Sequence, residues 1–86
     1  MFYVYFLKST KEPNWVYVGH TTNIDRRVKE HRTGQNLSTR PYLPIILSSF
    51  IAVPTRIKAE ELEKYFKKGS GKAILKKRIL SDEAVA

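Results

Sequence analysis

The sequence predicts a small α/β protein of the α+β kind, in which a three-stranded antiparallel sheet is flanked by helices. The chain has 86 residues, enough for one domain with a modest core. Its predicted elements follow in the order strand, strand, helix, strand, helix, helix. A short polar loop separates the first two strands, which favours an antiparallel hairpin. We expect residues 1–80 to form the domain and residues 81–86 to form a flexible C-terminal tail.

The strands are predicted from three apolar runs. In "FYVYFLK", residues 2–8, successive side chains alternate between two faces, with Val4 and Phe6 on the same one. "WVYVG", residues 15–19, is the second strand. "IILSSFIAV", residues 45–53, is nearly continuous in apolar and small residues, so we expect it to be the buried central strand of the sheet.

Capping residues and glycines predict the limits of the helices. Thr22 is a suitable N-cap for the first helix, with Asp25 as its capping-box partner, and Gly34 ends that helix. Thr55 caps the second helix, "RIKAEELEKYFKK". The glycines of "GSG", residues 69–71, break this helix, and a short third helix, "KAILKKRIL", follows.

The charge of the chain indicates a polyanionic partner. Sixteen Lys and Arg residues stand against eight Asp and Glu residues, giving a net charge of +8. Nucleic acid is the first candidate for that partner, ahead of an anionic membrane surface. The chain has no cysteine, so disulfides and thiolate zinc sites are excluded. We expect a cytoplasmic protein without a signal peptide or a membrane span.

Two adjacent arginines occupy different positions around the first helix. At about 100° per residue, Ile24, Val28 and His31 form its inward stripe. Arg27 lies about 60° from Ile24, at the border of that stripe, whereas Arg26 faces solvent. The sequence therefore predicts that Arg27 emerges beside the core.

The second helix places one carboxylate at a similar border. Glu63 lies about 65° from the centre of the apolar stripe, whereas Glu60 and Glu61 point well away from it. An Arg27–Glu63 ion pair that closes the rim of the core is the purely structural interpretation of these two residues.

The hairpin tends to bring Tyr5 and Tyr17 near one another on one face of the sheet. If Arg27, His31 and Glu63 lie on that face, two phenols, a guanidinium, an imidazole and a carboxylate converge. Such a set suits metal-assisted phosphodiester hydrolysis, in which the carboxylate holds a divalent ion and the guanidinium neutralises developing charge. The alternative is that the tyrosines only pack and that His31 is a hydrogen-bonded core residue.

The run "KKGSGK", residues 67–72, is a second candidate phosphate site. It lacks the glycine spacing of a P-loop. Its backbone amides precede the predicted third helix and are flanked by Lys68 and Lys72, which favours binding of a phosphate. A simple break between two helices is the alternative.

Four motifs in this order resemble the GIY-YIG nuclease superfamily, in particular its small stand-alone bacterial members. "YVYFL" and the later "YVG" together resemble the paired motif of the family. Tyr17 of the second motif lies twelve residues after Tyr5 of the first. "NIDRRVKEH" resembles its arginine helix, and "AEELEKYFKKGSGKA" resembles its metal-binding glutamate helix with a glycine-rich end. The resemblance extends from Phe2 to Lys77.

The resemblance assigns roles to the matching positions. Arg27, ten residues after Tyr17, matches the catalytic arginine, and Glu63 matches the metal ligand. The catalytic residues that the resemblance implies are Tyr5, Tyr17, Arg27, His31 and Glu63. We expect contacts to nucleic acid from His20, Arg26, Lys68 and Lys72.

The activity that the resemblance implies is endonucleolytic hydrolysis of DNA with one divalent ion, Mg²⁺ or Mn²⁺. It leaves the general base open among Tyr5, Tyr17 and His31. The chain departs from the family at two positions, since Tyr3 replaces the motif glycine and His20 stands where the excision nucleases carry lysine. A free catalytic domain is expected to be weakly active, to form a homodimer, or to depend on a partner protein for its substrate.

Two other functions stay open at this point. The first is a nucleic-acid-binding module on the same fold that has lost turnover. The second is a basic interaction protein with no role on nucleic acid, whose binding to acidic partners would tolerate changes at Arg27 and Glu63.

Overall fold

The computed structural model describes residues 1–79 of the chain. It confirms the predicted order of elements and the three-stranded antiparallel sheet. The predicted tail, residues 81–86, lies outside the described residues. The elements in chain order are β1 (Phe2–Ser9), β2 (Val16–Thr21), α1 (Ile24–Arg32), a 3₁₀ turn (Arg40–Tyr42), β3 (Ile45–Val53), α2 (Arg56–Phe66), α3 (Gly69–Ile74) and a π-helical turn (Leu75–Ile79).

The central strand of the sheet is β1, so the prediction of a central third strand is wrong. The strand order is β2-β1-β3, and both pairings are antiparallel. The four residues 4–7 of β1 are at most 1% exposed, because helices cover both faces of the middle strand. β3 is an edge strand, and its Ile46 and Phe50 are 46% and 51% exposed. The continuous apolar run of residues 45–53 therefore forms a partly exposed edge strand and not a buried central one.

The two faces of the sheet pack against different helices. Val4 and Phe6 of β1 share one core cluster with Ala59 and Phe66 of α2. The other face carries Tyr5 and Leu7 of β1, which cluster with Val28 of α1. The predicted helix phases are confirmed, since Val28 and His31 are buried and Arg26 is exposed. The sheet thus separates α1 from α2, and this separation decides which candidate residues can meet.

The first helix is capped by Asn23 and not by Thr22. The Asn23 side chain accepts a hydrogen bond from the Arg26 backbone amide at 3.1 Å. The Thr21 hydroxyl oxygen accepts a hydrogen bond from the Asn23 backbone amide and so stabilises the turn that leads into α1. Asn is at least as good an N-cap as Thr, so Asn23, one position after Thr22, caps the helix. Asp25 lies in the first turn, where its charge suits the helix dipole.

The predicted end of α1 and the predicted start of α2 are confirmed, whereas α2 ends at Phe66, two residues before the predicted Lys68. Gly34 follows α1 with φ +78°, a left-handed conformation that glycine adopts without strain. Thr55 caps α2 and accepts from the Lys58 amide at 3.2 Å.

The third helix begins earlier than predicted, because the "GSG" glycines lie inside it. α3 starts at Gly69. Gly71 is buried in this helix, and a Cβ atom there would overlap the backbone carbonyl of Tyr65. The glycine therefore allows α3 to pack closely on the end of α2. None of the helices found within residues 1–79 is long and apolar enough to span a bilayer.

Candidate active site and nucleic-acid interface

An aromatic cluster joins β1, β2 and α1 on the face that α1 covers. The rings of Tyr5 and Tyr17 have centroids 6.1 Å apart. The His31 ring lies 5.7 Å from the Tyr5 ring and 5.1 Å from the Tyr17 ring. The predicted approach of the two tyrosines on one face is therefore present, and His31 completes a three-ring cluster.

His31 is fully buried and makes a hydrogen bond with each ring nitrogen. Its Nε2 lies 2.8 Å from the Tyr5 hydroxyl, and its Nδ1 lies 2.8 Å from the Thr39 hydroxyl. Burial lowers the pKa of His31 below its usual 6.5, and the nearby positive charge of Arg27 lowers it further, while Glu30 opposes both effects. The imidazole is therefore neutral at physiological pH.

The lowered pKa of His31 predicts a loss of stability in mild acid. The unfolded chain takes up a proton near pH 6.5, whereas the folded chain resists it. The free energy of unfolding should thus decrease as the pH falls below about 6.5, by at most about 1.4 kcal/mol per pH unit. Urea unfolding at several pH values measures this slope.

His31→Gln should flatten the slope below pH 6.5 relative to the native protein. An equal slope in His31→Gln and the native protein would contradict a neutral buried imidazole.

Arg27 emerges at the edge of this cluster, as its predicted border position requires. Its guanidinium interacts with the Tyr5 hydroxyl, and this contact, followed by the one to Glu30, raises the pKa of Arg27. The Arg27 Nη1 atom lies 3.0 Å from the Glu30 Oε1 atom, one turn further along α1. The proposed Arg27–Glu63 ion pair is therefore wrong, and a local i,i+3 pair takes its place.

The Tyr5 phenol is neutral at rest. Burial raises its pKa from 10.0 to about 12, although the hydrogen bond from Arg27 opposes this rise. Any transfer of a proton to Tyr5 therefore needs a second group that accepts the phenol proton. His31 Nε2 is that neighbour, at 2.8 Å.

Glu63 projects from α2 on the opposite face of the sheet. Its Oε1 atom lies 3.0 Å from His20 Nδ1, and its Oε2 atom lies 3.4 Å from Lys67 Nζ. The Glu63 side chain retains 22% exposure. The structure thus separates Glu63 from the face of Tyr5, and Glu63 contacts His20 at the sheet edge and Lys67 on its own side of the sheet.

A shallow basic depression of about 260 Å³ wraps around the β2 edge and connects the two faces. Arg26, Arg27 and Glu30 reach it from α1, and His20 reaches it from β2. Arg56, the first residue of α2, completes it and lies 5.4 Å over the Phe2 ring. Sequence analysis missed Arg56, since it reads as an ordinary first-turn residue.

The comparison with known families agrees with this arrangement of residues. Residues 1–78 match the model of the GIY-YIG catalytic domain. The chain belongs to the GIY-YIG family. Its domain is therefore of nuclease type, within a family of hydrolases. The sequence resemblance to this family and the α+β fold are both confirmed.

Relatives of this GIY-YIG chain include several UPF0213 proteins. A UPF0213 protein of Bacillus licheniformis is 36% identical over 69 residues, which cover 79% of this chain and 71% of the relative. A UPF0213 protein of Halalkalibacterium halodurans is 39% identical over 62 residues, covering 71% and 64%. One from Haloquadratum walsbyi is 38% identical over 55 residues, covering 63% and 60%. No solved structure matches the chain.

The glycine of the GIY-YIG motif "YVG" has a steric reason. Gly19 pairs with Tyr5 across the two strands. A Cβ atom at position 19 would lie 2.6 Å from the Tyr5 hydroxyl and 2.9 Å from the Tyr17 ring. Real side chains do not approach this closely, so any larger residue would displace the Tyr5 hydroxyl from His31.

The donor set for a divalent ion contains one carboxylate. Within residues 1–79, no group of three or more His, Cys, Asp and Glu side chains is placed to hold a metal. One carboxylate still fits Mg²⁺, because this ion keeps several waters and takes its remaining oxygens from substrate phosphate. Glu63 is a half-buried carboxylate next to the depression-lining His20. The residues therefore fit a weakly held ion that needs substrate.

Lys68 and Lys72 of "KKGSGK" are not among the residues that line this depression. Lys72 lines a separate groove along β2, together with Trp15 and Lys67. Lys68 is the N-cap of α3 and makes no side-chain capping hydrogen bond. Because α3 has only six residues, its dipole offers little to an anion. The contacts predicted for Lys68 and Lys72 stay predictions.

Proposed function

We propose that this GIY-YIG protein is a divalent-metal-dependent endonuclease that hydrolyses DNA phosphodiester bonds. The observation that supports this most is the contact between the Arg27 guanidinium, which lines a basic depression, and the buried Tyr5 phenol behind it. A fixed positive charge next to a proton-transfer group is what phosphoryl chemistry requires. A cytoplasmic location stays a prediction.

The depression is suited to hold the phosphate backbone. Arg26, Arg27 and Arg56 line it with His20, and Glu30 is the acidic residue among its lining side chains. The net charge of +8 adds a long-range attraction to any polyanion. Guanidinium groups bind phosphate oxygens in a bidentate manner, so these arginines would fix the position of the backbone.

The chemistry divides between the two sides of the depression. Arg27 would neutralise the charge that develops on the phosphorane, and a phenol of the aromatic cluster would accept the proton of the attacking water. Glu63 would hold the divalent ion, which supplies Lewis-acid stabilisation of the leaving oxygen. His20 would keep the Glu63 carboxylate oriented through its 3.0 Å hydrogen bond.

One observation favours a second candidate, a DNA-binding module without turnover. Glu63 is engaged by His20 and Lys67 and lies behind the sheet from Tyr5. His20 and Lys67 would therefore compete with a metal ion for the carboxylate oxygens of Glu63.

A panel of labelled substrates separates the two candidates. Duplex, flap, single-stranded and branched DNA are incubated with Mg²⁺ or Mn²⁺, and both cleavage and binding are measured. The nuclease proposal expects metal-dependent cleavage of at least one substrate. Binding to the panel without any cleavage would instead support the module, and a homodimer or partner protein would then be sought as the missing component.

Binding to duplex DNA should weaken steeply with salt. The logarithm of the association constant should fall by about 0.9 per log unit of salt for each phosphate neutralised. Arg56→Ala should make the slope shallower by about 1, since Arg56 lines the depression. Lys58→Ala is the control, because Lys58 is an exposed cation on the same helix and is not among the residues that line the depression. Fluorescence anisotropy at several salt concentrations provides both slopes, and equal slopes in the two variants would refute the role of Arg56.

A further inference from the structure

A buried chain of hydrogen bonds runs from the candidate site to a loop that the sequence motifs do not cover. Tyr5, His31 and Thr39 are 1%, 0% and 0% exposed. The Tyr5 hydroxyl meets His31 Nε2 at 2.8 Å, and His31 Nδ1 meets the Thr39 hydroxyl at 2.8 Å. Thr39 precedes the 3₁₀ turn, in the loop between α1 and β3. A buried hydroxyl that touches a buried imidazole controls which imidazole nitrogen carries the proton.

The two ends of this chain fix its direction. At one end Arg27 contacts the Tyr5 hydroxyl, and a guanidinium can only donate hydrogen bonds. At the other end the Thr39 hydroxyl donates to the Asn36 carbonyl at 3.4 Å, and a carbonyl can only accept. Since each hydroxyl has a single proton, one direction satisfies all members. Thr39 accepts from His31 Nδ1–H, and Nε2 accepts from the Tyr5 O–H.

We propose that Thr39 is a positioning residue that holds His31 in its Nδ1–H tautomer, so that the Nε2 lone pair faces the Tyr5 hydroxyl. The effect on cleavage rests on the proposed nuclease function, whereas the tautomer itself does not. In this tautomer, His31 Nε2 can accept the proton that Tyr5 gives up. In the opposite tautomer, Nε2–H would point at Tyr5, and His31 could take no proton from it.

The proton transfer that this tautomer permits is balanced. The attacking water gives one proton to the Tyr5 hydroxyl oxygen, and Tyr5 passes its own proton to His31 Nε2. The imidazole becomes an imidazolium, whose Nδ1–H still donates to Thr39. The phenol is neutral before and after the step, so the relay avoids a buried phenolate. The water oxygen forms the new bond to phosphorus, and the bond from phosphorus to the leaving oxygen breaks. The leaving alkoxide takes a proton from solvent, and the His31 imidazolium then returns its extra proton to solvent.

The tautomer can be measured without any substrate. Long-range ¹H–¹⁵N correlation spectra distinguish the two neutral forms of a histidine, and the spectrum of His20→Gln identifies the signals of His31. We expect the Nδ1–H form in the native protein and a shift towards the Nε2–H form in Thr39→Val, which keeps the shape of threonine and loses its hydroxyl. A native His31 in the Nε2–H form would overturn the proposal, whatever the protein cleaves.

The kinetic test compares Thr39→Val with Thr39→Ser, which restores the hydroxyl. Thr39→Val should lower the single-turnover cleavage rate about tenfold or more while DNA affinity is unchanged, and Thr39→Ser should recover most of the rate. Thr33→Val is the control, since the Thr33 hydroxyl donates to carbonyls at the end of α1 and accepts from the Gln35 side-chain amide. Native cleavage by a folded Thr39→Val, or loss in Thr39→Ser equal to that in Thr39→Val, would overturn the role of the hydroxyl.

Discussion

We expect Arg27→Ala to lower single-turnover cleavage of DNA about a hundredfold or more, because one preorganised donor to a developing charge contributes about 3–4 kcal/mol. Arg27 lies beside the Tyr5 hydroxyl and is held by Glu30 at 3.0 Å, so its guanidinium is fixed before the substrate arrives. The remaining binding residues of the depression would retain the DNA. The loss should therefore appear in the rate at saturating enzyme more than in the affinity.

The neighbouring arginine is the matched control. Arg26 has the same charge and lines the same depression, but its side chain is exposed on α1. Arg26→Ala should weaken binding modestly and leave the rate at saturation near that of the native protein. Both variants should give the circular dichroism of the folded protein. A larger loss of rate in Arg26→Ala than in Arg27→Ala would contradict the assignment.

Glu63→Gln should abolish turnover and leave DNA binding intact or slightly tighter. The substitution keeps the shape of the side chain and removes the charge that would hold the metal ion. Tighter binding is expected because one negative charge close to the DNA phosphates is gone. Single-turnover cleavage and anisotropy on the same substrate measure the two effects separately.

Two acids of the same helix serve as controls for Glu63. Glu60 and Glu61 are exposed, so Glu60→Gln and Glu61→Gln remove the same charge away from His20. Both should cleave normally. Turnover in Glu63→Gln comparable to that of these controls would remove the metal role of Glu63.

The sequence was sufficient for features that depend on helix periodicity and on local steric rules. The separation of Arg26 from Arg27 follows from 100° per residue, and the structure confirms it. The same counting placed Glu63 at the border of its stripe, where it is half-buried. The end of α1 was predictable from Gly34 alone, because glycine adopts the left-handed conformation that commonly follows a helix.

The features that sequence reasoning missed depend on contacts between elements. Periodicity places a residue on its own helix but does not show which face of the sheet that helix covers. Glu63 therefore paired with His20 and not with Arg27. The strand order is likewise non-local, and so the most continuous apolar run proved to be an edge strand.

The role of Thr39 could not be predicted from the sequence, for a different reason. It lies in an irregular loop, where no periodic pattern marks buried positions, and threonine in a turn-rich stretch is usually exposed. Only the burial of its side chain and its 2.8 Å contact to His31 single it out.

Single-turnover cleavage by the native protein across a magnesium titration tests the central claim most directly. Saturating enzyme is mixed with the DNA that the panel identifies, first in chelator and then at increasing Mg²⁺. The account predicts no cleavage in chelator and a rate that rises with Mg²⁺ to a plateau, with weak binding of the ion in the absence of DNA. Full activity in chelator, or DNA binding without cleavage at any concentration of Mg²⁺ or Mn²⁺, would contradict a metal-dependent nuclease.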